Sequence, residues 1–244
     1  MINISNKKFA AAAFAGTLAL AVLLFLVSPF FHISAVVVEG TSNVSLREVN
    51  DALNVQTDTN LLFFNTRAAR RRVMENLYIG QVEFHRSLPN RLYVTVRERR
   101  LAAYVQHMPG SFLFLDDFGR VLEVRSYFTQ PLPLLEGLQF TRFQLGEILE
   151  VPDSVAFNAV VHYAQLLYDH GLIDRVTHMN VADASNIRIL IDGRKEFNVG
   201  TAVRADEKIR TIVDILENMP NPDVVSGFMD VSEIRSEFVF VVLQ

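Results

Sequence analysis

Six histidines, His32, His85, His107, His162, His170 and His178, are the side chains of this 244-residue chain best suited to acid–base or metal chemistry. Their spacing supports neither. None stands in an HExxH pair or another short zinc spacing, and no cysteine exists to complete a ligand set. His162 and His170 share one helical stretch slightly over two turns apart, which suits two hydrogen-bonded or solvent-facing imidazoles. Asp116 and Asp117 resemble a metal pair, but Phe118-Gly119-Arg120 follows directly and makes them turn residues. There is no Gly-x-Ser-x-Gly elbow, and the 11 glycines do not cluster into a phosphate cradle. The residues therefore predict no catalytic site, no metal and no cofactor. An exported hydrolase stays as a third-placed reading, because triads assemble from distant positions.

The elements that would carry any other function are arranged around one stretch. Residues 9–31 read FAAAAFAGTLALAVLLFLVSPFF and contain no ionisable side chain. As a helix they would run roughly 34 Å, enough for a hydrocarbon layer of roughly 30 Å. Lys7 and Lys8 precede the stretch, and the next basic residue beyond His32 is Arg47, an asymmetry that keeps the N-terminus in the cytoplasm. The expectation is a cytoplasmic tail over 1–8, a transmembrane helix over 9–31 held by lipid, and an exported remainder. The rival is a cleaved signal peptide ending near His32-Ile33-Ser34-Ala35, which the length of the apolar run disfavours.

Of 23 basic and 27 acidic residues, two lysines fall in 1–31, leaving the exported part formally at −6. That balance argues against a nucleic-acid footprint. Without cysteine there is no disulfide framework, so packed cores must supply the stability of one or two domains.

The first exported unit reads strand, helix, helix, strand, strand. Val36-Val37-Val38-Glu39-Gly40 is a β-branched run closed by a turn glycine. Ser45-Leu46-Arg47-Glu48 matches a capping box opening a helix over 45–54, and a second helix spans 66–76. Its Arg67, Arg70, Arg71 and Arg72 are read as a solvated face. Alternating strands over 81–84 and 92–99 flank a loop containing Pro89-Asn90.

The second unit continues without a linker. It begins with strands either side of Asp116-Asp117 and an irregular crossing segment over 131–137. A helix capped at Asp153 or Ser154 then runs to Gly171, burying Ala156, Val160, Tyr163, Ala164 and Leu167. Three strands and a helix over 202–219 follow, and Pro220 and Pro222 end that helix. The chain closes with two apolar runs, Gly227-Phe228-Met229-Asp230-Val231 and a final strand over 237–244. A closing strand with no successor offers unpaired backbone along one edge, to which an extended partner segment can add. The alternative is an internal strand that is only core.

In combination, several of these segments resemble the FtsQ/DivIB family of bacterial cell-division proteins. They are the span after a short tail, Val-Val-Val-Glu-Gly, Val44-Ser45 opening a helix, Asn60-Leu61-Leu62-Phe63, Leu88-Pro89-Asn90-Arg91-Leu92 and Val96-Arg97-Glu98-Arg99. Leu132-Pro133-Leu134-Leu135-Glu136-Gly137 and the helix containing Lys208 extend the resemblance through the second half. It implies an α+β chain: a POTRA domain (β-α-α-β-β) over 32–100, then a mixed-to-antiparallel β-domain with two packed helices over 101–244. It also implies a non-enzymatic divisome scaffold in the inner membrane at the septum. The partners implied are FtsB and FtsL, FtsB by direct contact, with FtsK, FtsW and FtsI as further contacts. Partner binding is expected on Phe228, Met229, Asp230, Val231, Ser232, Glu233, Ile234, Arg235, Phe238, Val239, Phe240, Val241 and Val242. The runner-up is a membrane-anchored POTRA chaperone for exported polypeptides, bound at the edge of the first unit.

Overall fold

The computed structural model describes residues 4–127, 131–219, 225–234 and 241–242. The chain divides into two compact units, Met1–Glu98 and Arg99–Gln244.

The first unit opens with helix α1, Ile4–Leu26, with Lys7 and Lys8 in its first turns. The apolar run continues to residue 31, but the helix does not. Pro29 lacks an N–H and would clash with the carbonyl four residues earlier, so Ser28 is extended and Pro29–Phe31 forms a 3-10 turn. Phe31 then enters the unit's packing, only 7% exposed. Side chains of α1 are described at Phe9 and from Ala11 onward, and 11–26 as helix spans about 24 Å, less than a hydrocarbon core. Among the described residues no helix is long and apolar enough to cross a membrane.

Strand β1, Ala35–Glu39, helices α2, Leu46–Leu53, and α3, Thr66–Val73, and strands β2, Ile79–Ser87, and β3, Arg91–Glu98, complete the unit. The sheet order is β1-β3-β2, with β1 parallel and β2 antiparallel to β3. The capping box forms as expected: the Glu48 N–H donates to Ser45 Oγ at 3.2 Å, and the Ser45 N–H donates to Glu48 Oε2. Val49, Leu53, Ala69 and Val73 from the helices pack on Val82, Leu92, Val94 and Val96 of the sheet. One of the four arginines of α3, Arg72, is drawn off the solvated face. Arg72 donates through Nε to Ala52 O at 2.9 Å and through Nη2 to Leu53 O at 2.8 Å, satisfying carbonyls at the end of α2. Arg67, Arg70 and Arg71 are exposed, Arg70 also donating through Nε to Val82 O at 3.1 Å.

At the far end of this sheet, Glu98 holds the loop after β1. Its carboxylate accepts from the backbone N–H groups of Ser42, Asn43 and Val44 at 2.7 to 3.1 Å, and from Asn43 Nδ2. Burial alone would raise its pKa. The bonds from Val44, Asn43 and Ser42 outweigh it and hold the carboxyl below its ordinary value. Gly40 makes the turn possible: its φ is +85°, and a Cβ there would lie 2.2 Å from Val96 O.

Among the described residues the second unit contains a nine-stranded sheet ordered β12-β11-β10-β9-β8-β7-β4-β5-β6. Its strands are β4 Leu101–Met108, β5 Ser111–Asp116, β6 Val121–Arg125, β7 Leu134–Glu136, β8 Val176–Asn180, β9 Ile187–Ile191, β10 Lys195–Gly200, β11 Gly227–Asp230 and β12 Val241–Val242. The segment expected to be irregular thus contains β7, which pairs parallel to both β4 and β8. Helices α4, Ser154–Asp169, and α5, Ala205–Asn218, cover one face. Asp153 caps α4 by accepting from Val155 and Ala156 N–H. The stripe of Ala156, Val160, Tyr163, Ala164 and Leu167 is buried, as are Ile209, Ile212 and Leu216 of α5. They pack on Ile187, Ile189 and Ile191 of β9 and Phe197 and Val199 of β10.

Candidate partner-binding edge

The β11–β12 edge is built outward from β10. Parallel pairing sets Lys195 against Gly227 and Asn198 against Asp230, and the Val231 N–H donates to Asn198 O at 2.9 Å. Alternation then sorts the side chains. Met229 and Val231 point into the core under the helices, 4% and 0% exposed, whereas Phe228 is half-buried and Asp230 exposed. β12 pairs antiparallel to β11, placing Gly227 opposite Val242 and Phe228 opposite Val241. Val241 is exposed. Phe228 and Val241 therefore form a cross-strand apolar pair one strand from the sheet's end. Among the described residues no strand lies beyond β12.

The turn after β11 is held by its own carboxylate. Asp230 accepts from the Ser232 N–H at 2.8 Å and from Asn198 Nδ2 at 3.3 Å. Ser232 and Ile234 are half-buried and Glu233 is exposed. Arg235, Phe238, Val239 and Phe240 lie outside the described residues, and of Val242 only the backbone pairing is described. Of the anticipated surface, the structure brings together 228–234 and Val241.

Beneath this turn lies a buried polar knot. β10 ends at Gly200, whose φ is +59° and where a Cβ would stand 2.9 Å from Ser232 Cβ. Lys208 of α5, 3% exposed, donates through Nζ to Val199 O and Thr201 O, both at 2.8 Å. The Tyr163 hydroxyl of α4 meets the same two carbonyls at 3.2 and 2.8 Å. Desolvation lowers the Lys208 pKa, with Arg204 adding to the effect and Asp230 opposing it, so the buried ammonium senses the turn's carboxylate. Burial likewise pushes the Tyr163 phenol up. These supports of the edge are Tyr163, Gly200 and Lys208. The signal for Lys208 was in its position, since it falls on the apolar stripe of Ala205, Ile209, Ile212 and Leu216.

The histidines and the aspartate pair serve other ends. Asp116 and Asp117 are buried, with Asp116 Oδ1 accepting from the N–H groups of Phe118 and Arg120, Arg99 on Asp116 at 3.3 Å and Arg100 on Asp117 at 2.8 Å. His170 lies 3.4 Å from Asp206, and His178 lies 3.8 Å from Glu136. Among the described residues no group of three or more histidine or acidic side chains is placed to hold a metal ion.

Residues 31–99 match the family model described as a POTRA domain of FtsQ type. The chain is 26% identical to the cell division protein DivIB of Clostridium botulinum strain Hall over 212 residues, 86% of this chain and 82% of the relative. It is 30% identical to DivIB of Staphylococcus aureus NCTC 8325 over 121 residues, 49% of this chain and 27% of that protein. It is 24% identical to DivIB of Bacillus subtilis over 86 residues, 35% and 33% of the two chains.

Proposed function

We propose that this chain, which belongs to the FtsQ/DivIB family of cell-division proteins, works as a membrane-anchored scaffold that captures a partner by strand addition at β12. The observation that carries this reading is the place of β12 at the end of the sheet, with the Phe228–Val241 pair beside it. Main-chain groups on the free side of such a strand bind any extended segment, and flanking side chains select among them. The partner is the FtsB–FtsL coiled-coil pair, with FtsB in direct contact. FtsW and FtsI then lie downstream, and FtsK is a contact of the POTRA unit. Phe228, Asp230, Ser232, Glu233, Ile234 and Val241 form the surface, joined by Arg235, Phe238, Val239, Phe240 and Val242. Met229 and Val231 contribute by fixing the strand from the core side. No chemistry is assigned to the chain.

Residues 9–31 anchor it in the cytoplasmic membrane, with 1–8 inside and the two units, 32–100 and 101–244, outside at the septum. An uncharged run of this composition is stable in hydrocarbon, and Lys7 and Lys8 set its direction.

The experiment is Val241→Pro, which removes one backbone N–H from the edge strand. Capture of purified FtsB–FtsL should fall at least roughly tenfold while circular dichroism stays unchanged. Undiminished capture overturns the reading. Binding lost only on altering β1 or β2 would favour the chaperone instead.

A further inference from the structure

We propose that the end of the first unit next to α1 is a lipid-contact surface, in which Phe30, Phe63 and Leu88 enter the headgroup–acyl boundary of the bilayer holding α1 and Arg86 and Arg91 face its phosphates. The inference rests on the reading of 9–31 as a membrane anchor.

Three separate segments meet at this end. Asn60 Nδ2 donates to the last carbonyl of α1, Leu26 O, at 2.8 Å. The Leu61 N–H donates to Phe31 O at 2.8 Å and the Ile33 N–H to Thr59 O at 2.9 Å, so the 59–63 loop is stitched to the helix exit. The Ser34 N–H donates to Asn90 O at 2.9 Å, which brings in the β2–β3 turn. Two phenylalanine doublets divide their rings the same way. Phe31 and Phe64 are buried, while Phe30 and Phe63, one residue earlier in each doublet, stand 56% and 61% exposed. Leu88 at the turn is 63% exposed.

Exposed aromatic area of this kind is unfavourable in water and favourable at the membrane interface. Its occupant follows from position: each side chain is bonded, through neighbours a few residues away, to the segment that leaves the apolar helix. Charge agrees. Across 26–34, 58–64 and 86–91 the fixed charges are Arg86, Arg91 and Asp58, net positive in an exported part that is formally −6; both arginines are exposed, Arg86 holding Phe64 O through Nη2 at 2.8 Å. Basic side chains beside buried apolar ones suit an anionic bilayer surface.

The chain contains no tryptophan, so single substitutions give clean probes. Full-length Phe63→Trp and Leu88→Trp variants would be reconstituted in vesicles of phosphatidylethanolamine and phosphatidylglycerol brominated near the top of the acyl chains. Leu46→Trp, at an exposed site beyond the other end of β1, and Phe14→Trp, within α1, serve as references. The inference expects blue-shifted emission and at least roughly twofold more quenching for Phe63→Trp and Leu88→Trp than for Leu46→Trp. Quenching of Phe14→Trp with the other three equally unquenched overturns the lipid surface and leaves the anchor standing. An unquenched Phe14→Trp overturns the anchor and this inference with it.

Discussion

Asp192 sits at the β9–β10 turn between two cations, with Arg175 donating through Nε and Nη2 at 3.0 and 2.8 Å and Lys195 Nζ at 2.7 Å. The Arg175 hydrogen bonds, with a smaller contribution from Lys195, outweigh burial and take its carboxyl from 3.8 down to about 2. A depressed carboxylate stabilises the fold fully above its unfolded value and loses that contribution as pH falls toward 2, here about 2 kcal/mol. Asp192→Asn keeps a residue that tolerates the φ of +54° and removes the charge beside a lysine only 1% exposed. Urea unfolding at pH 7 should show a loss of about 2 kcal/mol, and most of that increment should be gone by pH 2. Lys208 is the second buried lysine. Lys208→Met retains most of the stem's packing but leaves Val199 O and Thr201 O to the Tyr163 hydroxyl alone. The expected cost is about 1–3 kcal/mol by urea unfolding; on the scaffold reading, loosening of the loop under Ser232 also weakens partner capture, measured by titration at a temperature where the variant stays folded.

At the level of elements, backbone demands decide more than composition. Gly40→Ala would place a methyl against Val96 O and force a left-handed φ, so thermal unfolding should report a loss of at least about 2 kcal/mol in the first unit. Local elements were legible in the chain because their signals are local: the Ser45–Glu48 box, the Asp153 cap and the stripe of α4 need only neighbouring residues. What escaped depends on contacts far apart in sequence. Arg72 looks solvated until the carbonyls of Ala52 and Leu53 are beside it. β7 has three residues between prolines and a glycine, and only β4 and β8 on either side make it a strand. The end of α1 at Leu26 was readable from Pro29, but hydropathy alone runs on to Phe31. That β12 is the last strand among the described residues follows from tertiary pairing, and an apolar run of this kind suits an internal strand equally well.

For the whole molecule, the anchor reading makes one global demand: everything after residue 31 lies on the far side of the membrane from Lys7 and Lys8. Alkaline phosphatase fused after Gln244 should be active in intact cells and a fluorescent protein that matures only in the cytosol should be dark there. The reverse pattern removes both the scaffold reading and the lipid-contact surface, because each needs an exported unit.

The nine-stranded sheet has a seam. β7 joins β4 through Tyr104–Leu134 and Val105–Leu135, and joins β8 through three residue pairs. Every strand from β8 to β12 is therefore linked to β4, β5 and β6, as far as sheet pairing goes, by these few rungs. If a protein bound at β12 tugs while the other end of the chain is held in lipid, the part of that force carried by the sheet crosses this seam. Two short pairings would then share the load, β11–β12 where it enters and β4–β7 where it passes to the strand that follows the first unit.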